Sequence, residues 1–176
     1  MKKINLKHLI GLSTMLVTMS VFTVSPIWSQ GPLGRQFGFG ITLGDPLGAT
    51  IKYWTAQNEA LVADIGGDYF GSPRLDIDYY WHFNAFNSSV VKLYAGPGLA
   101  LGFGDGSYGL WYSHGHDYYF IRNNGGTGVG VHVLFGLDII PRRSPIEIYA
   151  EFGPLIGITP AFGASFDAAL GIRFYP

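Results

Sequence analysis

Alternation of polar and apolar residues is clearest between Arg74 and Phe83. Arg74, Asp76 and Asp78 stand at even positions, followed by Tyr80 and His82 in the same phase. The odd positions carry Leu75, Ile77, Tyr79, Trp81 and Phe83. Because a strand turns successive side chains to opposite faces, this segment predicts a strand with one charged face and one apolar face.

Seven further segments show the same two-residue period. Their apolar phases begin near Phe37, Ile51, Leu61, Val91, Val129, Ile146 and Phe166. With the opening segment they predict eight strands. Short turns are expected at Gln57-Asn58, 84–89 and 141–145, and a long loop at 104–126. Pro97 and Pro154 fall within two of these strands, and we expect a β-bulge at each because proline lacks an N–H.

An export signal is predicted at residues 1–29. Lys2, Lys3 and Lys7 precede an apolar run from Leu9 to Val24, and a cleavage site follows near Ser29. An uncleaved anchor helix is the alternative. Behind a signal peptide, the apolar strand faces are expected to meet lipid and the charged faces to point into a closed barrel. We therefore predict an all-β fold, a closed eight-stranded antiparallel barrel over 30–176, in the outer membrane of a double-membraned bacterium.

Charge and composition narrow the range of partners. Cleavage removes three of the eleven Lys and Arg residues and none of the twelve Asp and Glu residues, so the mature chain is mildly acidic. A nucleic-acid surface needs a basic excess, and none is expected here. The sequence holds no cysteine, which excludes disulfides, thiolate metal sites and a lipoprotein anchor. Outer-membrane lipid is the expected partner of a monomeric barrel.

A polar network is predicted inside the barrel, because an eight-stranded barrel leaves an interior that side chains fill. Tyr80, Tyr94 and Tyr149 are expected beside its charged members. These members are Lys52, Asp64, Arg74, Asp76, Asp78, His82, Lys92, His132, Glu147, Glu151, Asp167 and Arg173. Buried charges must pair, so a packed plug is the preferred interpretation. A narrow pore or small-ligand pathway is the alternative. Trp54, Tyr79, Trp81 and Phe83 are expected outside, in an aromatic belt.

The 104–126 segment is expected to be an aromatic surface loop that contacts an extracellular protein or another envelope component. Its candidate contact residues are Trp111, Tyr112, His114, His116, Asp117, Tyr118 and Tyr119. His114, His116 and Asp117 are types that bind metal, but three local ligands without a distant fourth seldom hold zinc, so no metal site is predicted. Ser113, His114 and Asp117 are too close in sequence to converge as a catalytic triad. No catalytic residue, enzyme activity or cofactor is predicted; a lipid-modifying enzyme is the least favoured alternative.

A resemblance supports the barrel prediction. The segment from Gly38 to Trp54 follows the pattern G-x-G-x-x-x-G-x-P-x-G-x-x-x-K-Y-W, and Asp78–Phe83 and Gly171–Phe174 add two later stretches. These motifs resemble those of a widespread family of small, uncharacterised outer-membrane barrels. The resemblance implies an eight-stranded barrel with the architecture of OmpA and OmpX, and it implies no established activity.

Overall fold

The computed structural model describes residues 31–104, 106–114, 117–123, 126–159 and 162–176; for 106–114 and 117–123 it describes the backbone. The predicted export signal lies outside these residues. The described chain begins with a short 3-10 turn at Pro32–Gly34 and continues into ten strands. The strands are β1 (Phe37–Gly44), β2 (Leu47–Ala56), β3 (Glu59–Gly67), β4 (Arg74–Phe83), β5 (Val91–Gly102), β6 (Gly106–His114), β7 (Asp117–Asn123), β8 (Gly128–Ile139), β9 (Ile146–Thr159) and β10 (Gly163–Phe174).

Eight of these strands close into an antiparallel barrel, which confirms the predicted fold class. The order round the ring is β1-β10-β9-β8-β5-β4-β3-β2, so each barrel strand pairs with its neighbours in sequence and β1 pairs with β10 to close it. We call the end that carries the β1–β2, β3–β4, β5–β8 and β9–β10 connections the loop end. The other end, where β1 starts and β10 finishes, is the terminal end.

The outer surface of the barrel is apolar and its interior is polar. Side chains such as Ile41, Leu43 and Ile77 are exposed on the outside. Thr42 and Asp76, on the same strands in the opposite phase, are buried inside, as is Thr50 on β2. An apolar exterior round a polar interior is the arrangement of barrels that span membranes. Within the described residues, no helix is long and apolar enough to cross a membrane.

Three clusters of buried hydrophobic side chains lie at different heights along the barrel axis. Phe70, Ala100 and Leu155 pack near the loop end. Val62, Tyr80, Tyr94 and Leu134 lie in the middle. Near the terminal end are Trp54, Ala60, Ile140 and Tyr175.

The prediction of β-bulges at Pro97 and Pro154 is wrong. Pro97 pairs with Val133 and Pro154 with Phe166 without any extra residue. On the other side of each proline two pairs are missing from the ladder, between Asp78–Gly98 and Trp81–Ala95 and between His132–Leu155 and Phe135–Phe152, but the register is the same before and after each gap. The glycine before each proline explains this. A Cβ on Gly96 would lie 1.8 Å from the carbonyl oxygen of Tyr79, and one on Gly153 would lie 1.9 Å from that of Val133. Without a Cβ, the neighbouring strand approaches closely enough to keep its register beside the proline.

The long loop expected at 104–126 contains two further strands, because β6 and β7 form a two-stranded antiparallel hairpin there. The backbone pairs Tyr112 with Tyr119, Ser113 with Tyr118 and His114 with Asp117. β6 lies beside β10, which is not a neighbour of β5 or β8 in the ring. The hairpin therefore reaches across part of the loop end.

Candidate functional site

The candidate site is the charged interior, whose side chains come from the inward phase of the barrel strands. Of the twelve charged residues predicted to lie inside, all but Lys92 are buried. Lys92 is partly exposed near the terminal end, and its Nζ lies 5.3 Å from the centre of the Trp54 ring. The buried charges form two clusters at different heights, one near each end of the barrel.

The terminal cluster is built round Lys52, Asp138, Glu147, Arg173 and His82. Lys52 Nζ donates hydrogen bonds to Asp138 Oδ2 at 2.7 Å and to Glu147 Oε1 at 3.1 Å. Arg173 Nη1 donates to the same Glu147 oxygen at 2.7 Å. His82 Nε2 lies 3.0 Å from both Lys52 Nζ and Asp138 Oδ2. Two cations thus meet two carboxylates with no exposure of any of the four side chains.

A polar cap covers this cluster at the terminal end. The Tyr175 hydroxyl donates to Glu147 Oε2 at 2.6 Å and accepts from Trp54 Nε1 at 3.1 Å. Arg35 Nη1 donates to the Tyr175 carbonyl at 2.5 Å, which ties the segment before β1 to the residue after β10. The cap joins both ends of the barrel chain over the lumen.

The expected outward position of Trp54 is wrong. Its side chain is 1% exposed, inside the barrel, and its ring lies 4.5 Å from Lys52 Nζ. Trp54 keeps the inward phase of Thr50 and Lys52. The alternation along β2 therefore outweighs the tendency of tryptophan to occupy the membrane boundary. Trp81 and Phe83 do lie on the outside, as predicted.

The loop-end cluster is built round Arg74. Its Nε donates to Asp76 Oδ1 at 2.8 Å, its Nη2 to Asp167 Oδ2 at 2.7 Å, and its Nη1 to Asp68. The Tyr69 hydroxyl donates to Asp167 as well. One guanidinium therefore serves three carboxylates from β4, β10 and the β3–β4 loop. Such charge-assisted contacts are the stronger kind of hydrogen bond.

His132 links this cluster to the middle of the barrel. Its Nε2 lies 2.5 Å from Asp78 Oδ1, and its Nδ1 lies 3.5 Å from Asp167 Oδ2. Below it, Glu151 Oε2 accepts hydrogen bonds from Tyr94 at 2.6 Å and from Tyr80 at 3.2 Å. The tyrosines that were predicted to line the interior are buried there, and two of them donate to Glu151, which forms no salt bridge with Lys or Arg among the described residues.

Burial leaves several charged atoms unsatisfied. Within the described residues, Asp64 Oδ1, Asp78 Oδ2, Asp138 Oδ1 and Arg173 Nη2 have no hydrogen-bond partner. Asp64 stands opposite Asp76 across β3 and β4, so two carboxylates share one row of the inward face. The carboxylates outnumber the cations inside, and the excess lies toward the loop end.

Sequence reasoning missed four members of these clusters. Asp138 continues the inward phase of His132 and Gly136 by one more step, so the alternation itself contained the signal. Tyr175 and Asp68 lie just beyond strand ends, where the period no longer applies. Tyr69 belongs to the same β3–β4 connection as Asp68, and only the fold brings that connection over the lumen.

The pKa values of Asp68 and Tyr69 are both raised, because the β3–β4 connection buries these two side chains over the lumen. Burial raises the pKa of Asp68, and the Arg74 guanidinium opposes that rise. Burial and the nearby Asp167 charge raise the pKa of Tyr69. Tyr69 therefore stays protonated and acts as a hydrogen-bond donor to Asp167 throughout the neutral range.

The predicted contact residues of the surface segment are distributed along the hairpin. Trp111, Tyr112 and His114 are in β6, and Asp117, Tyr118 and Tyr119 are in β7. His116 lies outside the described residues. The hairpin register places His114 and Asp117 opposite each other next to the turn. In the part of the chain that is described, no group of three or more His, Asp or Glu side chains is arranged to hold a metal ion.

The fold and its interior define a closed β-barrel whose lumen is filled by charged side chains that salt bridges join across it. No protein-family model matches the sequence, so the resemblance to the family of small outer-membrane barrels stays a prediction. No curated protein matches the chain either. The crystal structure of the N-terminal β-barrel domain of Pseudomonas aeruginosa OprF is similar, with a TM-score of 0.48 and 17% identity over 80% of this chain and 94% of that chain. That similarity is too low to support an inference about function, and the barrel assignment rests on the strand pairing described above.

Proposed function

We propose that this protein is a non-enzymatic outer-membrane barrel whose lumen is plugged by its own side chains and which presents the β6–β7 hairpin outside the cell. The apolar exterior supports insertion in a membrane. The predicted export signal supports the outer membrane as its location. The polar lumen supports it as well, because a polar interior is typical of outer-membrane barrels.

One observation supports the proposal that side chains plug the lumen. Lys52 on β2 is paired with Asp138 on β8, and Arg74 on β4 with Asp167 on β10. In each pair the two strands stand four places apart in either direction round a ring of eight. Each ion pair thus spans the diameter of the barrel, one near each end. We call them the two cross-braces; an ion following the axis would have to break both.

The plug is tested by conductance. Refolded protein in planar bilayers is expected to give no steady openings, with heat-modifiable gel mobility showing that it is folded. Replacing both cross-braces by serine (Lys52, Asp138, Arg74 and Asp167) is expected to produce small, steady openings. Steady conductance of the unaltered protein would overturn the plug.

A narrow cation pathway is the second candidate, favoured by the carboxylate excess. Asp64 and Glu151 are buried without an ion pair to any Lys or Arg in the described residues. If the pathway exists, Asp64→Asn with Glu151→Gln should abolish a cation-selective current that the unaltered protein shows. A silent unaltered protein excludes this candidate.

The outward hairpin is tested by labelling. A peptide epitope inserted between His114 and Asp117, which pair at the ends of β6 and β7, is expected to bind antibody on intact cells. The same epitope inserted at Asn87, in the β4–β5 turn at the terminal end, should bind only after the outer membrane is opened. The reverse pattern would overturn the proposed orientation, and with it the role of the hairpin.

A further inference from the structure

An open apolar groove lies on the outer face of the barrel, across the strands from β4 to β9. It has a volume of about 730 Å³ and is lined by Phe83, Leu93, Ala95, Phe135, Leu137 and Phe152, among others. Ala95 lies in its floor, because its small outward side chain leaves space between larger neighbours, and the backbone of Gly136 borders the same space. Phe135 and Phe152, with ring centres 6.3 Å apart, form one wall.

Two exposed arginines lie beyond the terminal end of this groove. Arg142 and Arg143 belong to the turn between β8 and β9, two of the strands that form the groove. Arg142 Nε donates to Ser89 Oγ at 2.6 Å, which links this turn to the one between β4 and β5. The two linked turns therefore cover the terminal ends of all four groove strands.

Nothing acidic accompanies these cations. Residues 84–90 and 140–145, which form the two turns, contain no Asp or Glu. Among the described residues, neither guanidinium forms an ion pair. Two guanidinium groups favour a ligand that carries phosphate and no cationic group, since neither turn offers a carboxylate that could receive an ammonium.

The spacing suits one leaflet of a bilayer. Leu137 lies two residues before the end of β8, about 7 Å along the strand, and Arg142 follows in the turn, at most about 17 Å from Leu137. Half of the hydrocarbon thickness of a bilayer is roughly 15 Å. A lipid whose phosphate contacts the arginines would thus place an acyl chain along the groove.

We propose that the groove and Arg142–Arg143 form a binding site for one anionic phospholipid, in the leaflet that borders the terminal end. The phosphate contacts the two guanidinium groups, and one acyl chain fills the space over Ala95. The site rests on the membrane insertion contained in the proposed function, but it requires neither the plug nor the hairpin.

The test is native mass spectrometry of the folded, detergent-solubilised protein. It is titrated with palmitoyl-oleoyl phosphatidylglycerol or with phosphatidylcholine carrying the same chains. One tightly bound phosphatidylglycerol is expected, with clearly weaker binding of phosphatidylcholine. Arg142→Gln and Arg143→Gln are each expected to weaken phosphatidylglycerol binding by roughly fivefold, and the double variant should bind both lipids alike.

Filling the groove tests the acyl-chain half of the site. Ala95→Phe is expected to weaken the first binding event for both lipids. Ala63→Phe, an outward alanine on β3 away from the groove, is the matched control and should bind as the unaltered protein does. If Ala95→Phe lacks the heat-modifiable shift, Ala150→Leu replaces it, since Ala150 also lines the groove.

Equal binding of the two lipids by the unaltered protein would overturn the proposal. So would phosphatidylglycerol binding that survives loss of both arginines, or that is unchanged when the groove is filled. A conducting barrel that still binds one phosphatidylglycerol would overturn the plug alone, so the two failures can be told apart.

Discussion

Lys52 Nζ lies 2.7 Å from Asp138 Oδ2, although the two residues stand on diametrically opposite strands of the barrel. Both side chains are buried. Removing one partner from such a pair leaves an uncompensated charge, which costs more than the pair contributes. The pair is surrounded by Glu147, Arg173 and His82, so removing it disturbs the hydrogen bonds of the whole terminal cluster.

Asp138→Ala is expected to lower the free energy of unfolding by about 3 kcal/mol, because Lys52 keeps only Glu147 as a carboxylate partner. Urea unfolding in lipid vesicles, followed by the gel shift, measures this. The control is Lys52→Met with Asp138→Leu, which removes both charges and should be more stable than Asp138→Ala. A double variant less stable than the single one would contradict the argument.

Arg74→Gln is expected to lower the free energy of unfolding by about 3–5 kcal/mol at neutral pH, because Asp68, Asp76 and Asp167 lose their shared cation. The deficit should shrink as the pH falls below neutral, because burial raises the pKa of Asp68 and the variant lacks the guanidinium that opposes that rise. Protonation removes the repulsion in the variant and weakens the ion pairs of the unaltered protein, so both effects narrow the gap. Unfolding at several pH values measures it.

The matched control for that experiment is Arg143→Gln, measured like Arg74→Gln in vesicles of phosphatidylcholine alone. Arg143 is exposed on the β8–β9 turn, so its loss should change stability little at any pH. A pH-independent deficit in Arg74→Gln would show that lost packing, and not charge, accounts for its effect.

Gly98→Ala is expected to destabilise the barrel by about 1–3 kcal/mol through overpacking. A Cβ at Gly98 would lie 1.8 Å from Asp78 Oδ1 and 2.1 Å from His132 Nε2, between two groups that now contact each other. Gly130→Ala is the comparison, because there the nearest atom is the tip of the Phe70 ring at 2.9 Å. Equal losses in the two variants would argue against a specific role for the Asp78–His132 contact.

Tyr69→Phe is expected to lower the free energy of unfolding by about 1.5 kcal/mol, the usual value of a hydrogen bond to a charged group. The Tyr69 hydroxyl donates to Asp167, one end of the loop-end cross-brace. Tyr53→Phe, which alters an exposed tyrosine on the outer face of β2, should have little effect. Thermal unfolding of the two variants side by side measures the difference.

The facing of the barrel residues could be predicted because it depends on local geometry. A two-residue period is a property of each strand alone, so Arg74, Asp76 and Asp78 could be placed inside before any partner was known. Trp54 was misplaced only where a preference of the residue type was allowed to outweigh that period. The register at Pro97 and Pro154 was misjudged because it depends on how closely Tyr79 and Val133 approach, which the sequence does not contain.

The amino-acid sequence by itself determined the eight barrel strands, the faces of nearly all their residues and most of the charged side chains that lie inside. Only the tertiary structure decided which charges meet. Closure of the ring sets Lys52 against Asp138 and Arg74 against Asp167, because strands far apart in sequence become opposite walls of a lumen about two side chains wide. It also brings Asp68, Tyr69 and Tyr175 over the ends of that lumen, where no periodic pattern marks them. The period of a strand is local, whereas a salt bridge across a barrel depends on the number and order of all eight strands.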